Sequence, residues 1–159
     1  MTGLKAGALG RLAAELGAGL ATDQPETVRL LGDFGFNVFT YAQLIDDMRD
    51  ACPLDGSQGD MAMHKKTLPV VFFYGSLLQS ASGRGNGQAR LGEVQECADV
   101  QREFGASGAR VYCAIVAEAF LGRAKANVAA LRSRVAEVRH LEEFLDSVVG
   151  SSAESIAAS

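Results

Sequence analysis

Several common functional signatures are missing from this chain, and each absence narrows what it can be. Its two histidines, His64 and His140, share no spacing with a cysteine or acid that would suggest zinc. Three cysteines, Cys52, Cys97 and Cys113, are odd in number and lack metal spacing, so a reduced, cytoplasmic setting with small buried thiols is expected. No basic stripe is present and the net charge is −4 at pH 7, which argues against nucleic-acid binding. No apolar run reaches the length of a membrane span, and the N-terminus lacks the charged, apolar and small-residue order of a signal peptide. The glycine-rich stretch Ser80–Gln88 has no phosphate-loop spacing, so it reads as a flexible loop with a solvated Arg84. Neither an internal repeat nor a clear domain boundary interrupts residues 1–150.

What is present suits one packed helical domain. The 159 residues are 48% hydrophobic with a mean hydropathy of +0.09, enough for a core. Residues 4–20 are rich in Ala, Leu and Gly, and Gly7, Gly10, Gly17 and Gly19 would allow close helix approach at some cost in helix propensity. Asp23-Gln24-Pro25-Glu26 resembles a capping box, with Asp23 as N-cap of a second helix that Pro53 ends. A third helix is expected from about Thr67, with Pro69 in its first turn, through the apolar run to Leu78. Further helices are expected near 90–104, 108–132 and 134–149, and residues 151–159 form a tail small and polar enough to fray.

The chemistry concentrates in Gln43-Leu44-Ile45-Asp46-Asp47-Met48-Arg49-Asp50. At 100° per residue, Asp46 and Asp50 stack as an i, i+4 pair, Asp47 lies beside Asp46, and Gln43 sits one turn back. The apolar stretch before them predicts a largely buried helix. Like charges about 4 Å apart repel by roughly 1 kcal/mol in water and about 4 kcal/mol at an effective dielectric of 20, so the cluster calls for a cation. A D-D-x-x-D helix is more often solvated acid than a ligand set. Hard oxygen donors without His or Cys nonetheless suit Mg²⁺, which takes one or two carboxylates, keeps waters, and completes its shell with phosphate oxygens. The basic pair Lys65-Lys66 follows closely, and an ammonium there could share a phosphate anion with the metal.

These residues carry a resemblance. Gln43 to Asp50, followed by Gly59-Asp60-Met61-Ala62-Met63-His64-Lys65-Lys66-Thr67-Leu68-Pro69, resembles the second aspartate-rich motif and following loop of the trans-isoprenyl diphosphate synthases, the polyprenyl synthetase family. That loop in the family reads approximately Ser-Asp-Leu-x-x-Gly-Lys-x-Thr-Leu-Pro and aligns here without a gap. Gly3-Leu4-Lys5-Ala6-Gly7 is similar to the family helix that opens with Lys-Thr, and segments around 107–124 are similar to its last long helices. Differences are local: Ala6 stands for Thr, Ala42 for Phe, His64 for Gly, and Asp55 where many members have Lys.

The resemblance implies an all-α fold, the C-terminal half of an isoprenoid-synthase-type helical bundle. It implies a cytoplasmic prenyltransferase that condenses an allylic diphosphate with isopentenyl diphosphate, with Mg²⁺ as cofactor. Asp46, Asp47 and Asp50 would be the metal ligands; Lys5 and Lys65 would hold the allylic diphosphate, and Gln43 would hydrogen-bond beside it. Family members run to roughly twice this length, and the sequence holds no second aspartate-rich run. Met1 is therefore expected to be an internal methionine of a longer frame. The first aspartate motif would come from that frame or from a complementing chain, within a homodimer or mixed assembly. The alternative is a non-catalytic subunit or remnant serving as a scaffold.

Overall fold

The computed structural model describes residues 2–53, 59–82 and 97–157, and among these every regular element is helical. In chain order they are α1 (Thr2–Ala21), α2 (Pro25–Ala51), α3 (Leu68–Ser82), α4 (Cys97–Ala106), α5 (Ala109–Leu131) and α6 (Arg139–Ala157). The all-α class expected from sequence is the one observed among these residues. Arg84, most of the glycine-rich loop and the expected helical residues 90–96 lie outside the described residues.

The long helix α2 is the axis of the molecule. One face buries Phe34, Val38, Tyr41, Leu44, Ile45 and Met48 against Cys113, Ala117, Leu121, Ala124 and Val128 of α5 and Leu145 of α6. On α5 those residues recur at spacings of three and four, so alanines alternate with larger side chains and let the two helices approach closely. A second cluster closes the C-terminal end of α2, where Ala51 and Cys52 meet Met61, Val70, Phe73, Phe104 and Ala109. The apolar run after Pro69 is thus a helix packed on both α2 and α5, with Phe72 stacked on Tyr112 at 4.6 Å and Phe73 edge-on to Phe104 at 5.6 Å.

Helix α1 lies antiparallel along the other side of α2. Gly7 meets Phe36 and Thr40, Gly10 meets Gly35 and Phe39, and Glu15 lies over Gly32. Backbone touches backbone at Gly10 and Gly35, where any β-carbon would collide with the facing carbonyl. Arg11 donates to Asp33 at 2.6 Å and Arg29 to Asp33 at 2.8 Å, so the acid in the middle of α2 is neutralised by two guanidinium groups. Gly17 and Gly19, by contrast, face open space, so only half of the expected glycine contacts are made.

Three boundaries differ from expectation. The N-cap of α2 is Gln24, in extended conformation and without a side-chain cap hydrogen bond, while Glu26 pairs with Arg29 at 2.8 Å; the proposed capping box is absent because Pro25 takes the first helical position and Glu26 is drawn forward by Arg29. Turns run from Arg132 to Val138, and α6 starts at Arg139 rather than near 134. The segment expected as a tail continues α6 to Ala157; Ser152 is buried, donates to the Val148 carbonyl at 2.7 Å and hydrogen-bonds the buried Tyr41, which ties α6 to α2 at that residue.

Candidate functional site

The site residues of α2 lie in its last two turns, and the turn direction of the helix divides them. Asp46 and Asp50 stand on the outer stripe, with side chains 52% and 51% exposed, whereas Asp47 is 5% exposed and turned towards the core. The expectation of three buried carboxylates is therefore corrected to one buried and two open. The reason is periodicity: Leu44, Ile45 and Met48 occupy the inner face, Asp47 borders it, and Asp46 and Asp50 lie beyond it.

Each carboxylate has a partner from this chain. Arg49 spans the open pair, 3.3 Å from Asp46 and 2.9 Å from Asp50. Gln43 donates through Nε2 to Asp47 Oδ1 at 2.7 Å. Burial pushes the Asp47 carboxyl above the ordinary range; the Gln43 hydrogen bond opposes this, and the charges of Asp60, Asp46 and Asp50 add to it. Across the helix interface, burial and then the Asp47 charge push the Cys113 thiol up to about 11, so Cys113 is a packed, unreactive thiol.

The loop after α2 folds back onto this turn. The Asp60 amide donates to the Asp50 carbonyl at 2.7 Å and the Met61 amide to the Ala51 carbonyl at 3.2 Å, satisfying two of the acceptors that a helix end leaves open. Gly59 is required there, since a β-carbon would meet Pro53 and the carbonyls of Asp50 and Ala51. Asp60 is itself buried, and Lys65 returns to it twice, through its amide to the Asp60 carbonyl at 2.9 Å and through Nζ to Oδ1 at 2.8 Å. The Lys65 ammonium is held above its ordinary range by that hydrogen bond and the Asp60 charge, then by Asp50 and Asp47. Between them His64 has φ 52, the left-handed region, at the position where the resembling loop carries glycine. Thr67, at the start of α3, is buried with a hydroxyl that lacks a partner among the described residues.

The fold thus gathers Gln43, Asp46, Asp47, Asp50 and Lys65 and does not gather Lys5. Lys5 is exposed on α1, and its helical position puts it four residues from Leu9, on the stripe opposite the one that meets α2. Two residues outside the expected set belong to the cluster: Asp60, signalled by its place in the loop motif, and Arg49, inside the acid motif at i+3 from Asp46. Among the described residues, the four carboxylates of the cluster face the cations of Arg49 and Lys65, a formal −2. Comparison with protein-family models, with curated proteins and with solved structures finds no match.

Among the described residues, no three His, Cys, Asp or Glu side chains are placed to hold a metal ion by themselves. The donors still suit magnesium in part. Asp46 and Asp50 carry hard oxygen donors, one turn apart and open to water, and magnesium commonly uses one or two carboxylates with water and phosphate oxygens completing its shell.

Proposed function

We propose that this chain carries an aspartate-rich half-site of a prenyl diphosphate synthase, where an allylic diphosphate is held for condensation with isopentenyl diphosphate. The observation that carries the reading is the fold-back of residues 59–65, which hydrogen-bonds to the last carbonyls of α2 and brings Lys65 into the field of Asp47 and Asp50. Two motifs separated in sequence become one patch bearing both acid and ammonium. The left-handed backbone at His64 adds support, because the resembling loop has glycine there.

In this reading Asp46 and Asp50 would exchange Arg49 for magnesium, which when bound supplies Lewis acidity towards the leaving diphosphate. Lys65 would offer its ammonium to a diphosphate oxygen, leaving Asp60 to the backbone of the loop. Gln43, oriented by Asp47, keeps its carbonyl oxygen for developing positive charge. The allylic carbon–oxygen bond breaks with its electron pair going to diphosphate, the double bond of isopentenyl diphosphate forms the new carbon–carbon bond, and a proton leaves. The hold of Arg49 on both open carboxylates favours the second reading, a non-catalytic scaffold whose acids are neutralised internally.

Calorimetric titration of the full chain with inorganic pyrophosphate, with and without Mg²⁺, separates the two. The enzyme reading expects magnesium-dependent binding that weakens about tenfold or more, at least ~1.4 kcal/mol, in Asp46→Ala and in Lys65→Arg or Lys65→Ala in graded order, and that persists in Asp33→Ala. Equal losses at Asp46 and Asp33, or no binding, would leave only the scaffold. Turnover of both substrates by the chain alone is expected to be negligible, since one aspartate-rich run supplies only part of the charge compensation.

A further inference from the structure

A cation of the chain itself stands where the proposed function puts magnesium. Arg49 Nη1 lies 3.3 Å from Asp46 Oδ1 and Arg49 Nε 2.9 Å from Asp50 Oδ1, so two nitrogens of one planar fork hold two carboxylates. An ammonium or a hydrated alkali ion does not reproduce that geometry. Position 49 is what allows it: a basic residue there reaches acids three residues before and one after, whereas position 48 points into the core, where Met48 is buried. With its side chain 42% exposed and both acids about half exposed, the bridge sits in water and exchanges readily.

We propose that Arg49 is an internal gate on the metal position, which shuts out monovalent cations and yields to a divalent one. The gate rests on the reading of Asp46 and Asp50 as magnesium ligands. Charge and geometry set its selectivity. Sodium or potassium brings no more charge than the guanidinium and none of its directed N–H donors, so neither ion displaces the bridge. Magnesium brings twice the charge and takes carboxylate oxygens directly. Once displaced, Arg49 stays tethered beside the acids, and its positive charge continues to oppose the metal. Removing Arg49 therefore tightens metal binding, the opposite of what loss of a purely supporting ion pair would do.

Titration of the full chain with Mn²⁺, a hard divalent ion whose free form is read by electron paramagnetic resonance, tests the gate. Arg49→Gln is expected to bind Mn²⁺ about three- to tenfold more tightly than the parent chain, and Arg49→Lys, which keeps the charge and loses the fork, to fall between them. Circular dichroism should be unchanged in both, since the replaced side chain is exposed. Exchanging tetramethylammonium for potassium at one ionic strength should weaken Mn²⁺ binding to Arg49→Gln and leave the parent as it was. Affinity that falls or stays level in Arg49→Gln, while Asp46→Ala still abolishes binding, would overturn the gate and leave the metal site standing. Equal potassium effects in the two chains would overturn its selectivity. No Mn²⁺ binding in either chain, or binding that survives Asp46→Ala, would overturn the gate and the metal site together.

Discussion

Replacing Gly10 by alanine should destabilise the protein although alanine is the better helix former. In a free helix the change is worth about 0.8–1 kcal/mol in favour of alanine. Here the new β-carbon would lie 2.5 Å from the Gly35 carbonyl oxygen and 2.7 Å from the Phe39 ring. Ordinary contact needs about 3.5 Å, so α1 and α2 must part by close to 1 Å, and a gap of that size forfeits about a quarter to a half of each dispersion contact along the seam. The Phe39 ring can rotate, but the Gly35 carbonyl belongs to the helix backbone and cannot yield alone. Overpacking of this kind costs about 1–3 kcal/mol, which leaves a net loss of roughly 1 kcal/mol, with up to about 2 kcal/mol at the upper end. For a chain of this size each kcal/mol moves Tm by about 2–4 °C. Gly17→Ala provides the control within the same helix: nothing lies within 4 Å of that position, so the propensity gain should appear as a rise of about 2–4 °C. Thermal melts of the two variants, followed by circular dichroism, should move in opposite directions. If both stabilise equally, the backbone contact at Gly10 and Gly35 does not exist as described.

Asp47→Asn should stabilise the protein at pH 7 by removing a buried charge while leaving an amide to pair with Gln43. The sign follows from linkage: a carboxyl whose pKa is raised by folding holds its proton more tightly in the native state, so its favourable contribution is present below the unfolded value and is lost as pH rises through the folded value. The advantage of Asn should therefore shrink as pH falls below the ordinary aspartate range, and urea melts at pH 7 and pH 3.5 giving the same difference would contradict it. His64→Gly should raise stability by up to about 1.6 kcal/mol, because relief of about 1–2 kcal/mol of left-handed strain is offset by about 0.4–1 kcal/mol of extra unfolded-state entropy. A clear loss of Tm would mean that the His64 side chain, and not its backbone, holds the loop.

The helical architecture is legible in the sequence because its signals are local. Pro53 marks the end of α2, Pro69 sits in the first turn of α3, and the buried stripes of α2 and α5 follow helical spacing. The fold-back of the acidic loop is legible only through the motif, since Asp60 and the Asp50 carbonyl that it meets are ten residues apart in sequence. What is not legible is the division of the acids. A run of apolar residues before Gln43 indicates a buried helix, yet the 3.6-residue repeat carries Asp46 and Asp50 out of the core within one turn. Arg49 goes unnoticed for a related reason, because a basic residue inside an acidic motif reads as surface until its distances to both neighbours are known. The helix past Gly150 is harder to read for another reason: serines and alanines carry little hydrophobic signal, and it is the contact of Ser152 with Tyr41 that ties this part of α6 to α2.

Helix-end electrostatics by themselves disfavour the acid turn. The C-terminal end of a helix carries a partial negative charge from its open carbonyls, and acidic side chains there are disfavoured by about 0.3–1 kcal/mol each. Asp46, Asp47 and Asp50 all fall in the last turn and a half of α2, and Asp60 adds a fourth carboxylate from the loop. Against them, among the described residues, stand the Arg49 guanidinium, the Lys65 ammonium and the amides of Asp60 and Met61. A sequence selected only to end a helix would place Lys or Arg at two of these positions and an apolar residue at Asp47, where burial already opposes the charge. The open carboxylates Asp46 and Asp50 share one guanidinium, and the buried Asp47 accepts from Gln43. A divalent cation entering on the Asp46–Asp50 side would meet the helix dipole and two carboxylates together, and would displace only one exposed arginine side chain to do so.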